Sequence, residues 1–161
     1  MRAPAHNASG FSLVELSIVL VILGLLVGGV LTGQSLIRAA ELRSVSTEYG
    51  RWVTATQTFR DKYFALPGDM NNGVSFWGQS TSCGGASATG TCNGNGDGAM
   101  NWAAAVSVTG EVYQFWRQLA SAGLIEGSYT GIAGPGTVIV GLDTIPGTNS
   151  ARSRLSNAGW G

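Results

Sequence analysis

Residues 11–33 read FSLVELSIVLVILGLLVGGVLTG, and Glu15 is the one ionisable side chain in the stretch. Coiled as an α-helix, the segment would span about 35 Å, enough to cross a hydrocarbon core of about 30 Å. A secretory signal peptide is the ordinary competitor, but its apolar region ends after about 7–15 residues and has no use for an acid at its start. Glu15 needs an explanation of its own. A carboxylate at the centre of a bilayer helix costs about 2.5–3.5 kcal/mol on insertion scales, so such an acid ordinarily has a partner. No cation lies within one helical turn of it in its own segment. The candidates are interfacial water, where the charge also suits the positive end of the helix dipole, an amino terminus, or another chain.

The composition around this segment narrows the function. The chain has 161 residues, room for one modest domain plus appendages. Nine Lys and Arg balance nine Asp and Glu, and charged residues make up 11% of the chain, far below the roughly 25% of an average soluble domain. A basic nucleic-acid surface therefore lacks its usual signature, and no nucleic-acid partner is expected. His6 is the only histidine, which removes a Ser-His-Asp triad, a Cys-His dyad and His-ligated zinc from the body of the protein. The carboxylates Asp61, Asp69, Asp97, Glu111, Glu126 and Asp143 show no paired spacing for acid and base roles, so an enzyme is not expected.

The run Gly10-Phe11-Ser12-Leu13-Val14-Glu15-Leu16, opening an apolar stretch, resembles the processing site of type IV prepilins and type II secretion pseudopilins. Glycine, aromatic, glutamate and apolar run occur together at fixed spacing, and the segments from Leu66 to Asn72 and from Gly123 to Ile125 also look like those of prepilin-type proteins. The resemblance implies a leader, residues 1–10, removed after Gly10 by a membrane-embedded prepilin peptidase, and N-methylation of Phe11. It implies that Glu15 pairs with the Phe11 amine of a neighbouring subunit during filament assembly. It also implies an inner-membrane, single-pass protein with its head in the periplasm. Counting Arg38, Arg43 and Arg51 beyond the helix by the positive-inside rule would place the body in the cytoplasm instead; the cysteines below agree with the resemblance. Thr32 stands where many pilins carry proline, so Gly24, Gly28, Gly29 and Gly33 are left to soften the helix.

Beyond the assembly helix, residues 11–33, the pattern continues as an amphipathic helix over 34–64. Leu42, Val45, Tyr49, Trp52, Thr56, Phe59 and Tyr63 would form its apolar face, with Arg43, Glu48, Arg51, Arg60 and Lys62 in solvent. Leu66-Pro67-Gly68-Asp69 ends it. A loop-rich head occupies 65–161, with Phe76 and Trp77 as apolar anchors. A second helix is expected from Gly110 to Ala122, with Thr109 as N-cap and Val112, Phe115, Trp116 and Leu119 inward. Short strands are expected at Ser128–Ile132 and 137–142 around Gly134-Pro135-Gly136, giving an α+β fold: a long transmembrane-plus-amphipathic helix packed on a small antiparallel sheet. No clear final strand precedes Trp160-Gly161, which leaves open that the head continues further.

Cys83 and Cys92 flank a small, flexible loop and lack CxxC spacing or further zinc ligands. A disulfide in an oxidising compartment is the expected state, with two free thiols in a cytosolic loop as the alternative. Asn93-Gly94-Asn95-Gly96-Asp97-Gly98 matches the first half of a calcium loop, making Asn93, Asn95 and Asp97 candidate ligands. Ala104 stands where a bidentate glutamate would fall, so Glu111 or a more distant acid would have to complete the site; a plain glycine-asparagine turn is the alternative. Two functions thus compete: a filament subunit assembling with homologous pilins or pseudopilins, and a membrane-anchored periplasmic binding module, calcium-dependent if the loop holds the ion, that does not polymerise.

Overall fold

The computed structural model describes residues 10–101, 110–134, 144–155 and 158–160. Helix α1 runs Leu13–Tyr63, α2 is the single turn Val74–Trp77, a 3-10 turn covers Thr81–Cys83, and α3 is Glu111–Ser121. The chain divides into two compact units, Met1–Leu42 and Arg43–Gly161.

In the first unit α1 passes through Gly24, Gly28, Gly29 and Gly33 without a break. Its apolar side chains point outward all round, and none of its most apolar stretch is buried. A helix apolar on every side belongs in a membrane or a large core, and this one is long and apolar enough to cross a membrane. The hydroxyls it carries are accommodated locally: Ser17 donates to the Val14 carbonyl at 2.8 Å and Thr32 to the Gly28 carbonyl at 2.9 Å. Neither hydroxyl needs water to satisfy its proton.

The second unit, the head, is built on the C-terminal turns of α1. Ala55 and Phe59 are buried on one helix face and join Met70, Trp116, Leu119, Ile125, Tyr129 and Ala151 in a single core, with Trp52 and Tyr63 packed against it. The rings of Trp52 and Trp116 meet edge to face at 5.2 Å, which couples α1 to α3. The inward stripe is therefore displaced from the one expected. Tyr49 is 61% exposed, whereas Glu48, expected in solvent, is 5% exposed. The helix ends at Tyr63. Phe64 turns into the left-handed region at φ 55° while its N–H donates to the Arg60 carbonyl. Gly68 follows at φ 91°, and a Cβ there would lie 2.3 Å from the Glu111 carbonyl oxygen, so only glycine lets the turn lie against the start of α3.

The expected antiparallel sheet has no strand among the described residues. Ser128–Ile132 is irregular, 137–142 lies outside the described residues, and the pairings present are isolated bridges such as Gln79 with Thr91 and Arg152 with Gly159. Helix α3 falls within a residue of its expected limits at each end, while the proposed cap Thr109 lies outside the described residues. Its buried face is also unexpected: beside Trp116 and Leu119 it buries Gln114, Arg117 and Gln118.

Glu48 shows why polar groups go inward. Its carboxylate accepts hydrogen bonds from Ser153 Oγ at 2.9 Å, the Arg154 N–H at 2.8 Å and Trp160 Nε1 at 3.0 Å, with Arg154 Nε at 3.8 Å. A run with no strand to pair with is thereby fastened to α1 within the head. Burial works to raise the carboxyl's pKa, and the bonds from Trp160, Ser153 and Arg154, with the Arg154 charge, outweigh it and hold the value below its ordinary 4.5. The folded pKa is depressed, so the contribution to stability is present above the unfolded value and lost as pH falls through the folded one. Glu48→Gln should lower stability at pH 7 by about 2 kcal/mol, the scale of hydrogen bonds to a charged group, and the deficit should shrink below pH 4. Thermal melts of wild type and variant from pH 7 to pH 3 check this; a deficit that does not change with pH would assign the loss to packing.

Candidate functional site

The first turn of α1 and the residues just before it hold the positions expected to carry processing and assembly. Gly10 and Phe11 precede the helix, and Phe11 is 85% exposed. A Cβ added at Gly10 would meet nothing within 4 Å, so the fold itself makes no demand for glycine there. Glu15 has a partner that the sequence reading did not consider. Its Oε2 accepts the Ser12 N–H at 2.9 Å, while Ser12 Oγ accepts the Val14 N–H at 3.3 Å and the Ser12 carbonyl accepts the Leu16 N–H. Ser12 and Glu15 thus form a reciprocal helix cap of the Ser-x-x-Glu type, which the sequence spells out in residues 12–15. Within the single chain, the acid is engaged by one N–H, that of Ser12, at its own helix end.

The expected calcium ligands do not converge. Asn93 Oδ1 accepts the Val74 N–H at 2.9 Å, at the start of α2. Asn95 Oδ1 accepts the Asp97 N–H at 3.0 Å, and Asn95 Nδ2 donates to Asp97 Oδ2 at 2.9 Å. The Ala99 N–H, then the amides of Asn101 and Asn95, hold the Asp97 carboxyl below its ordinary value. The loop folds around two other acids. Asp69, 3% exposed, accepts the N–H groups of Gly96 at 2.7 Å, Asp97 at 3.1 Å and Gly98 at 2.9 Å. Glu111 accepts those of Asn95 at 2.9 Å and Asn101 at 2.8 Å. Gly94 is required by this closeness, since a Cβ there would lie 2.4 Å from Asp69 backbone atoms. Carboxylates surrounded by N–H donors are arranged as the anions of the loop, and among the described residues no group of three Asp, Glu, His or Cys could hold a metal. The side chains, as placed, do not fit calcium.

Cys83 and Cys92 are bonded, with their Cα atoms 5.9 Å apart. Helix α3 anchors this loop at the Cys92 end. Gln114 Oε1 accepts from Thr91 Oγ1 at 2.8 Å and the Cys92 N–H at 3.1 Å, and its Nε2 donates to the Gly131 carbonyl at 2.6 Å. Gln118 accepts the Gly68 N–H at 2.6 Å and donates to the Cys92 carbonyl at 3.1 Å. Arg117 donates to four carbonyls: Gly90, Ala88 at 2.8 Å, Tyr129 at 3.0 Å and Thr130 at 2.6 Å. Burial pushes its guanidinium below the usual value. None of these roles was read from the sequence. The only signal was the spacing of Glu111, Gln114, Arg117 and Gln118 on one helical face, which in a sheetless head can turn inward.

Residues 5–31, which contain Gly10, Phe11 and Glu15, match a family model described as the prokaryotic N-terminal methylation motif, the prepilin-type signature of type IV pilins and pseudopilins. No curated protein and no solved structure matches the chain. The motif and the N-terminal apolar helix fit a membrane-anchored, single-pass protein.

Asp69→Asn should destabilise the head by about 2–3 kcal/mol, because an amide cannot accept all three N–H bonds without turning a donor toward one of them. Asp97→Asn should shift the midpoint far less, and millimolar calcium should leave the melting temperature of the wild type unchanged. Denaturant titrations of the variants and thermal melts with and without calcium check all three; a rise in melting temperature with calcium that Asp97→Asn abolishes would restore the cation site.

Proposed function

We propose that the chain is a structural subunit of a type IV pilus-like or type II secretion pseudopilus filament. In this reading prepilin peptidase cleaves after Gly10, Phe11 becomes the N-methylated terminus, and the mature subunit is held in the inner membrane with its head in the periplasm until it joins homologous subunits. The observation that carries the reading is the match over residues 5–31, in which the glycine, the aromatic and the glutamate keep their spacing ahead of an apolar helix. The bonded cysteines support an oxidising compartment for the head. The open surroundings of Gly10 support a role for its missing side chain outside the fold, in seating the bond in a peptidase. The competing reading is a membrane-anchored periplasmic binding module that does not polymerise; its calcium-dependent form has no specific observation in its favour among the described residues.

The cap at Ser12 and Glu15 sharpens the test of assembly. Losing a helix cap costs about 1 kcal/mol, which a helix as long as α1 tolerates. Burying the Phe11 amine of an incoming subunit without a counter-charge would cost about 3–5 kcal/mol by analogy with broken buried pairs, enough to suppress assembly. Glutamine serves in the same cap as glutamate but carries no charge.

Gly10→Val should block maturation while leaving the head folded, which N-terminal mass spectrometry of membrane-extracted protein checks. Glu15→Gln and Glu15→Leu should both accumulate in the membrane, processed and disulfide-bonded, yet stay out of sheared or secreted filaments. If Glu15→Gln enters filaments as readily as wild type in a strain lacking other pilins, capping and not charge pairing is the function of Glu15.

A further inference from the structure

Three of the nine Lys and Arg residues of the chain, Arg51, Arg152 and Arg154, line one open cleft of about 380 Å³ in the head. It lies between α1, the turn at residues 126–129 and the run at 147–154. The guanidiniums differ in how far they are already engaged. Arg154 lies 3.8 Å from Glu48. Arg152 donates Nε to the Pro146 carbonyl at 3.1 Å, which leaves the outer nitrogens of its fork unassigned, and among the described residues it has no carboxylate within ion-pair distance. Arg51 also has none there and sits over the Trp52 ring at 5.6 Å. The Trp52 ring lines the same cleft.

The acceptors of the cleft do not match this supply. Glu48 is fully occupied by Trp160, Ser153 and Arg154. Glu126 is the other acid in the lining; it is exposed and makes no ion pair among the described residues. Two guanidinium forks without a carboxylate partner among the described residues therefore line a space with one uncommitted carboxylate at its edge. Planar forks of this kind recognise oxyanions by paired N–H bonds. We propose that this cleft is a binding site for a small multivalent oxyanion bearing carboxylate or phosphate groups, held by the guanidiniums of Arg51 and Arg152, with Trp52 in the lining as its reporter.

The test uses the full chain in detergent micelles, titrated with citrate and separately with inorganic phosphate, and reads the Trp52 indole N–H resonance, assigned through Trp52→Phe. A saturable shift with a dissociation constant of about 1 mM or tighter is expected for at least one anion, and which one saturates tells carboxylate from phosphate recognition. Arg51→Gln and Arg152→Gln should each weaken binding about tenfold, Glu126→Gln should strengthen it severalfold, and Lys62→Gln, outside the cleft, should leave it unchanged. Arg51 is exposed on α1, so its replacement does not threaten the fold, and an unchanged melting temperature confirms that. No saturation by either anion, or equal weakening by Lys62→Gln, overturns the proposal.

Discussion

Every buried N–H and C=O needs a partner, and a head without β-strands among its described residues has to find those partners in side chains. Helix α3 supplies most of them. Its inward polar face presents two amides and a guanidinium, which together bind backbone groups of Gly68, Ala88, Gly90, Cys92, Tyr129, Thr130 and Gly131. An unmatched buried polar group costs about 1–3 kcal/mol, so leaving even a few of these unpaired would consume the stability of a domain this size. The core of Phe59, Met70, Trp116 and Leu119 provides the drive to collapse, but the side-chain bonds decide which loop lies where. Arg117 suits this work because its five donors spread in a plane and it remains charged when buried.

The same solution recurs with carboxylates. Asp69 gathers three successive N–H groups of the glycine-rich loop, Glu111 takes two more, and Glu48 receives the C-terminal run. Chains rich in glycine lose much entropy on ordering and have few side chains with which to hold themselves. Fixing them from outside, by acids on or next to helices, concentrates the ordering in a few anchors. The disulfide adds to this arrangement: Cys92 is held by Gln114 and Gln118, and the sulfur bridge extends that hold to Cys83.

These facts account for what could and could not be read from the sequence. The apolar stretch from Leu16 was legible because its composition has few alternatives, and α3 because its aromatic spacing and the glycine after it are local signals. The cap of Ser12 and Glu15 is likewise a local signal, carried by the Ser-x-x-Glu spacing alone. Glu48, Gln114, Arg117 and Gln118 were not legible: a polar residue on an amphipathic helix goes to solvent unless the neighbouring loops lack partners, and that lack is a property of the tertiary structure. For the same reason Ser128–Ile132 looked like a strand. Its β-branched and aromatic residues suit one, yet its carbonyls at Tyr129, Thr130 and Gly131 bond Arg117 and Gln114 instead of a neighbouring strand.

A guanidinium that grips carbonyl oxygens is indifferent to the side chains of the residues it holds, because every amino acid carries the same carbonyl. At Ala88 and Thr130 the bond from Arg117 would survive a change of residue type that kept the backbone path, whereas Gly90, whose Cβ would come within 2.5 Å of the Gly78 carbonyl oxygen, has no such freedom. The architecture therefore separates what is inherited as shape from what can drift as surface. A lineage of such heads could exchange the outward faces of these loops, and with them whatever meets the protein from outside, while α3 stayed as it is.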